Sequence, residues 1–218
     1  MVKDGKMKAS RFVDIVIESL EKETSDAIFE NQFDFVHASI NTYSPLKFRE
    51  ELSDRMFNYI LSLIPKIHEN QKNRLIALRS KLPSFASSAA AKKTLLEWYH
   101  GKLEALKGHD MTVGQQWSTV AKAFTLKDLS LEEKEKLYEE QAKKDPSDTA
   151  KNYRLTCDGL KASKEEFEKF YESFKDKSNN LSITSKNYLA NGWNHMIHLD
   201  WLLEYKSRYF ADIVAASN

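Results

Sequence analysis

The chain has 218 residues with 33 basic and 32 acidic side chains, and this balanced charge argues against a dedicated nucleic-acid-binding protein. A single cysteine excludes an internal disulfide framework and is typical of a reducing compartment, which predicts a cytoplasmic protein. Only 6 glycines are present, which disfavours a hairpin-rich sheet protein, and no apolar run approaches the ~20 residues that a membrane-spanning helix needs.

Start signals place two helices at the beginning of the chain. Ser10 precedes apolar residues at helical spacing and is predicted to cap a helix that runs to about Glu23. Thr24 or Ser25 is predicted to cap the next helix, whose apolar residues also recur at three- and four-residue intervals. Each helix is therefore expected to bury one face.

Three prolines are expected to mark helix boundaries. Pro45 is predicted to be the first residue of a helix, where its missing N–H would have no partner anyway. Pro65 is predicted to end or kink that helix at residues 63–64. Pro83 is predicted to close the following helix, which covers about residues 69–80.

The second half of the chain carries two capping-box sequences, Ser130–Glu133 and Ser163–Glu166, each of which predicts a helix start. Between them, Ser147 or Asp148 is predicted to open a helix over Thr149–Ala162. The other predicted helices cover residues 87–98 with Gly101 as a left-handed C-cap, residues 115–124, residues 131–144, and a final segment that carries Leu199, Leu202, Tyr205, Tyr209 and Phe210.

This pattern predicts an all-α fold. Short polar connections make consecutive helices antiparallel, and a long series of such pairs is typical of an irregular α-solenoid, a HEAT- or armadillo-like superhelical bowl. No repeat of fixed period and no Pro/Gly/Ser-rich linker interrupts the chain, which predicts a single helical domain over residues 1–218.

Histidine is the residue type most able to form a metal site here. His195 and His198 are three residues apart and can share one helix face, but the spacing is one residue shorter than in HExxH and no glutamate follows the first histidine. The favoured interpretation is that both residues form the turn into the last helix. No metal site and no bound cofactor is predicted for this chain.

No catalytic group is predicted either. Cys157 lies in an apolar-spaced helix with nothing nearby in sequence to lower its pKa, so a buried and inert thiol is expected. The paired glutamates lie among lysines on helices, where solvated ion pairs are the usual outcome. The helical spacing of Trp193, Trp201, Tyr205 and Tyr209 predicts core packing rather than a platform for stacking bases.

Three stretches of the chain resemble motifs of one protein family in order and spacing. Residues 1–13 read MVKDGKMKASRFV, residues 145–154 read DPSDTAKNYR, and residues 192–210 begin with GWN, continue through LLEY and end with RYF. They are similar to the W-D-M-V-R-D-G-E, D-P-T-D-x-G/A-x-R and G-F-W/N…E-L-L-x-P-Y…R-Y-F elements in the helical C-terminal domain of the aminopeptidase N family of zinc metallopeptidases. Ala150 stands where glycine is common, and Glu204 where proline often precedes the tyrosine.

The resemblance implies structural roles for the positions that match these motifs. They are Asp4, Gly5, Asp145, Pro146, Asp148, Arg154, Trp193, Tyr205, Tyr209 and Phe210.

The resemblance also implies that the chemistry lies outside this chain. The family's catalytic domain binds zinc through HExxH and a distant glutamate and carries a GAMEN-type loop, and neither string occurs in the 218 residues. The chain is then expected to be the C-terminal part of a larger zinc aminopeptidase, without the catalytic domain and without peptidase activity of its own. In that family the helical domain covers the active site and restricts peptide access, so the implied partners are the catalytic domain of the same polypeptide and peptide substrates in its cavity, with no nucleic acid and no membrane.

One alternative stays open, a free-standing α-solenoid scaffold that binds a protein partner on its concave face. A small metal-dependent enzyme built on His195 and His198 is a third and weaker hypothesis. A domain taken from a larger enzyme is expected to expose apolar patches on the order of several hundred Å², which its neighbour would cover, and to show some tendency to self-associate.

Overall fold

The computed structural model describes residues 2–161, 163–175 and 181–216. Helices dominate this part of the chain, and it contains no β-strand. The eleven α-helices in it are α1 (Ala9–Ser19), α2 (Asp26–Tyr43), α3 (Leu46–Leu63), α4 (Lys72–Phe85), α5 (Ala89–Tyr99), α6 (Val113–Ala123), α7 (Leu131–Lys144), α8 (Asp148–Lys161), α9 (Lys164–Lys175), α10 (Ile183–Trp193) and α11 (Leu199–Ala216). Short 3₁₀ turns cover Leu20–Lys22, Ile64–Lys66, Glu69–Gln71, Glu104–Leu106 and Met196–His198.

The all-α prediction is confirmed, and the helices pack as antiparallel pairs. The chain divides into two compact units, Met1–Thr119 and Val120–Asn218. The single domain over 1–218 and the superhelical bowl stay predictions.

In the first unit, α1 and α3 lie side by side and run in the same direction. Asp14 of α1 is paired with Arg55 of α3, and Glu21 is paired with Lys66 at 3.3 Å. Because both partners advance together along the chain, the two helices are parallel neighbours. The antiparallel α2 connects them.

Helices α2 and α4 form a second parallel pair in this unit. Asp26 accepts from Arg74 at 2.8 Å, and Asp34 is paired with Lys81 at 2.7 Å. Helix α1 therefore stacks with α3, and α2 stacks with α4, which is the layering that an α-solenoid uses. Their facing sides bury the core of the unit, which includes Val13, Val16, Phe29, Phe33, Val36, Ile40, Met56, Phe57, Ile60, Leu78, Leu82 and Leu95.

The second unit repeats this arrangement with α8 to α11. The hydroxyl of Ser185 on α10 donates to the side-chain oxygen of Asn152 on α8 at 3.2 Å, and further along both helices Gly192 lies against Gly159. Helices α8 and α10 are therefore parallel. They approach so closely that a Cβ atom built at Gly192 would lie 2.9 Å from the Cα of Gly159.

Several predicted boundaries are confirmed by their hydrogen bonds. The Ser25 hydroxyl accepts from the backbone N–H of Ile28, and both capping boxes form, with the backbone N–H groups of Ser130 and Ser163 each donating to a glutamate at 2.7 Å. Gly101 has a φ of 68°, as predicted for a left-handed C-cap. Ala162, the predicted last residue of α8, lies outside the described residues.

Other boundary predictions are wrong. Helix α1 begins at Ala9 after Lys8, so Ser10 is a helical residue and not the cap. Pro45 occupies the N-cap position of α3, one residue earlier than predicted. Pro83 lies inside α4, which continues to Phe85.

Helix α10 was not predicted at all. Its sequence, ITSKNYLANGW, has no continuous apolar stripe, and only Leu189, Gly192 and Trp193 are buried. Its close approach to α8 depends on Gly192, whose lack of a side chain carries no periodic signal.

Candidate interaction surface

The histidine pair lies in the turn that leads into α11, as the favoured interpretation predicted. The Nδ1 atom of His195 accepts the backbone N–H of Ile197 at 3.2 Å and so caps the 3₁₀ turn. His198 ends that turn and is buried. Each imidazole ring therefore makes a hydrogen bond to the backbone of this chain.

His198 occupies an aromatic environment. Its Nε2 lies 2.9 Å from the carbonyl oxygen of Gly159, and because a carbonyl can only accept, Nε2 carries the hydrogen. The ring stacks on Trp201 with centroids 4.7 Å apart, and Phe167 lies at 6.1 Å. Burial lowers the pKa of His198, and the hydrogen bond to Gly159 opposes this only in part.

Among the described residues, no three His, Cys, Asp or Glu side chains lie close enough together to hold a metal ion. Cys157 is fully buried in α8, and burial raises the pKa of its thiol to about 12. This confirms the expectation of a buried thiol, and its raised pKa makes it a poor nucleophile.

The most developed polar arrangement joins α7 to α8. Glu135 accepts from Arg154 at 2.5 Å and from Lys161 at 2.6 Å, and Asp158 is paired with the same two cations at 2.9 and 3.0 Å. The Arg154 guanidinium also lies 5.0 Å from the ring centre of Tyr138. These pairs hold the pKa of Glu135 below its ordinary value against the opposing effect of burial, which is individually the largest influence. Two cations and two anions satisfy one another, so the network holds a helix hairpin together.

The other motif positions have local roles. Gly5 has a φ of 70° and donates its N–H to the carbonyl of Val2 at 3.0 Å, so it closes a turn that contains Asp4. Asp145 follows α7 directly, and its side chain accepts the N–H of Ser147 at 3.4 Å in the turn that contains Pro146. The next motif position, Asp148, begins α8 and is paired with Lys151.

The aromatic residues of the C-terminal motif divide between the core and the surface. Trp193 is buried, and Tyr205 packs on Phe167 with centroids 5.1 Å apart, so both have the predicted core role. Tyr209 and Phe210 are instead 52% and 58% exposed. The prediction of core packing is therefore wrong for Tyr209.

Helix α11 has one side that faces α9. Trp201 and Tyr205 pack on Phe167, and Arg208 is paired with Glu168 at 2.5 Å. Asp212 extends this side by accepting from the hydroxyl of Tyr171.

Leu203 and Phe210 lie on the opposite side of α11. They are seven residues apart, and a seven-residue step is close to two turns of an α-helix, so they share a face. Leu203 is 61% exposed, and Lys206, which lies between them on the same side of the helix, is also exposed. We define Leu203, Lys206 and Phe210 as the outer face of α11. Sequence reasoning missed it because apolar spacing predicts an apolar face but does not reveal whether another element covers it.

Exposed large apolar side chains also occur in the first unit. Phe35 of α2 and Ile76 of α4 are each 61% exposed. The exposed apolar patch that is expected of a domain taken from a larger enzyme stays a prediction.

No helix in the described part of the chain is both long and apolar enough to cross a membrane. No protein-family model matches the chain, and no curated protein is significantly similar to it.

Proposed function

We propose that this chain is a non-catalytic helical domain that acts by covering a surface of another protein or domain. In the specific form implied by the three motifs, it is the C-terminal domain of an aminopeptidase N-like zinc metallopeptidase. There it covers the active site and restricts peptide access. The outer face of α11 is the observation that supports this proposal.

The outer face of α11 has the composition of a contact surface. Covering Leu203 or Phe210 would stabilise a complex by roughly 1.5–3 kcal/mol each, before the costs of association are subtracted. The ammonium group of Lys206 between them favours a partner that places a carboxylate opposite it. The expected partner surface is therefore apolar with at least one acidic side chain.

In the peptidase form, that partner surface belongs to the catalytic domain of the same polypeptide. The zinc ion and the groups that cleave the peptide bond would all lie there, and the helical domain would contribute shape and contact area. Arg154, Asp145 and Gly5 would then serve the fold of the helical domain, which is the use that their contacts support.

The peptidase form is tested by the coding sequence upstream of Met1. An HExxH element and a GAMEN-type loop in the same reading frame are expected, and an in-frame stop codon immediately upstream would overturn this form. The purified chain is also assayed with aminoacyl-nitroanilide substrates and added zinc. Turnover by the chain alone would overturn the proposal that it is non-catalytic.

The second candidate is a free-standing helical scaffold. It is favoured by the exposed Phe35 and Ile76 in the first unit, because a scaffold with several partners needs several contact surfaces. One pair of variants distinguishes the peptidase form from the scaffold form. Phe210→Glu should impair a peptidase parent while Phe35→Glu should not, whereas a scaffold should lose a different partner with each substitution.

A further inference from the structure

The hydrogen bond between His198 and Gly159 is a buried polar connection between α8 and the start of α11. Gly159 lies where α8 crosses α10, so its carbonyl is held in place by a crossing that leaves no room for a Cβ atom. His198 immediately precedes Leu199, the first residue of α11. The imidazole therefore fixes the N-terminal end of α11 to the close crossing of α8 and α10.

We propose that His198 is a proton-sensitive latch, which holds α11 against α8 when the imidazole is neutral and releases α11 when the imidazole becomes charged.

The surroundings of the ring suit the neutral imidazole. A proton added at Nδ1 would place a full charge in a site that is only 4% exposed. The contacts there are the Gly159 carbonyl from α8, Phe167 from α9 and Trp201 from α11, and none of them carries a negative charge. Burial lowers the pKa of His198, and the hydrogen bond to Gly159 opposes this only in part.

Charged residues lie near both partners of this hydrogen bond. Asp200, two residues after His198, is exposed in the first turn of α11. Asp158 and Lys161, next to Gly159 on α8, belong to the network with Glu135. On α9, Glu168 is paired with Arg208. Among the described ion pairs, none includes His198, so movement of the ring into water is the available way to stabilise its charge.

The other polar connections between α11 and α9 include a part-buried hydrogen bond, from the Tyr171 hydroxyl to Asp212, and ion pairs at the surface. Lys164 is paired with Glu204, and Arg208 with Glu168 and Glu172, with side chains 41% to 57% exposed. Exposed pairs of this kind contribute little to stability, because water screens the attraction between the charges.

The latch does not depend on which partner α11 binds. It adds a property to the proposed interaction surface, because Leu203 and Phe210 move with α11. Contacts made through that surface would weaken on acidification.

The test is amide hydrogen exchange of the full chain at about pH 7.5 and about pH 5, on either side of the ordinary histidine pKa, with rates corrected for intrinsic exchange. We expect protection of residues 199–212 to fall several-fold at the lower pH, while protection of α3 stays unchanged. Equal protection of residues 199–212 at both pH values would overturn the latch.

Two variants identify the responsible ring. His198→Gln keeps an N–H donor for the Gly159 carbonyl without a titrating group, and it should abolish the pH dependence. His195→Asn keeps a side chain that can cap the turn, removes the second titrating ring, and should leave the pH dependence intact. Loss of the effect in His195→Asn, or its survival in His198→Gln, would overturn the proposal.

A further measurement covers the case in which His198→Gln fails to fold. The imidazole of His198 is titrated by NMR in the unmodified chain, and its midpoint is compared with the midpoint of α11 exchange. Coincident midpoints support the latch, and separate midpoints overturn it.

Discussion

The side-chain amide of Gln115 donates to the carbonyl oxygen of Arg79 at 2.7 Å. In a regular helix this carbonyl would accept the N–H of residue 83, which in this chain is a proline without an N–H. Gln115 on α6 therefore supplies the donor that Pro83 removes from α4. This explains why α4 continues through Pro83 to Phe85, whose ring is buried.

Gln115→Glu should lower the free energy of unfolding by about 1–2 kcal/mol, because it leaves the Arg79 carbonyl without its donor. The substitution preserves the second role of Gln115, whose Oε1 accepts the N–H of Thr112 at 2.8 Å to cap α6. The measurement is the midpoint of urea unfolding at constant slope.

Pro83→Ala provides the matched control, because alanine restores a backbone N–H for the Arg79 carbonyl. In the Gln115→Glu background it should recover most of the lost stability, whereas alone it should change stability much less. Strictly additive effects of the two substitutions would contradict the proposed compensation.

The misplaced end of α4 shows where sequence rules stop being sufficient. Proline is unfavourable inside a helix, as the sequence rule states. In this chain, however, Gln115, 32 positions later, supplies the donor that replaces the missing N–H of Pro83, and no local pattern connects the two residues. Capping boxes are different, because Ser130 and Glu133 satisfy each other within four residues. Local hydrogen bonds were therefore predictable, and long-range compensation was not.

Gly192→Ala should destabilise the second unit by about 1–3 kcal/mol, the usual range for overpacking. The new Cβ atom would collide with the carbonyl oxygen of Thr156 and lie 2.9 Å from the Cα of Gly159. Both are backbone atoms, so α8 and α10 would have to separate. The measurement is thermal unfolding followed by circular dichroism.

Gly114→Ala is the control for this substitution. Gly114 lies in α6 without a positive φ, and a Cβ atom added there would meet no other atom within 4 Å. Alanine at this position should therefore be neutral or stabilise by up to about 1 kcal/mol. Equal effects at Gly114 and Gly192 would contradict a close approach of α8 and α10.

Arg154→Met should cost about 1–2 kcal/mol, because Glu135 and Asp158 both lose a cation in a partly buried network. Lys151→Met removes an ion pair whose side chains are 81% and 87% exposed, and it should be nearly neutral. Urea unfolding at low and high salt distinguishes the two variants, because only the loss of stability caused by Arg154→Met should persist at high salt. Identical effects would mean that the network adds nothing beyond a surface pair.

The surface of α11 illustrates a second limit of sequence reasoning. The apolar spacing of Leu202, Tyr205 and Tyr209 correctly indicated a helix. It did not distinguish Tyr205, which contacts Phe167, from Tyr209, which is half exposed. The spacing of apolar residues does not reveal whether another helix covers them. Arg154 shows the same limit, since its motif position carries no information about Glu135 on the neighbouring helix.

Cys157 should react with iodoacetamide only when α8 unfolds. Its side chain is fully buried, and a thiol whose burial raises its pKa to about 12 has almost no thiolate at neutral pH. The single cysteine makes the measurement unambiguous, because each molecule can gain one label. Mass spectrometry should show slow labelling of the native chain and rapid labelling in denaturing urea, and Gly192→Ala should accelerate native labelling by loosening the contact between α8 and α10. If native and urea-unfolded chains were labelled at the same rate, the thiol would have to be accessible, and the burial of α8 against its neighbours would be wrong.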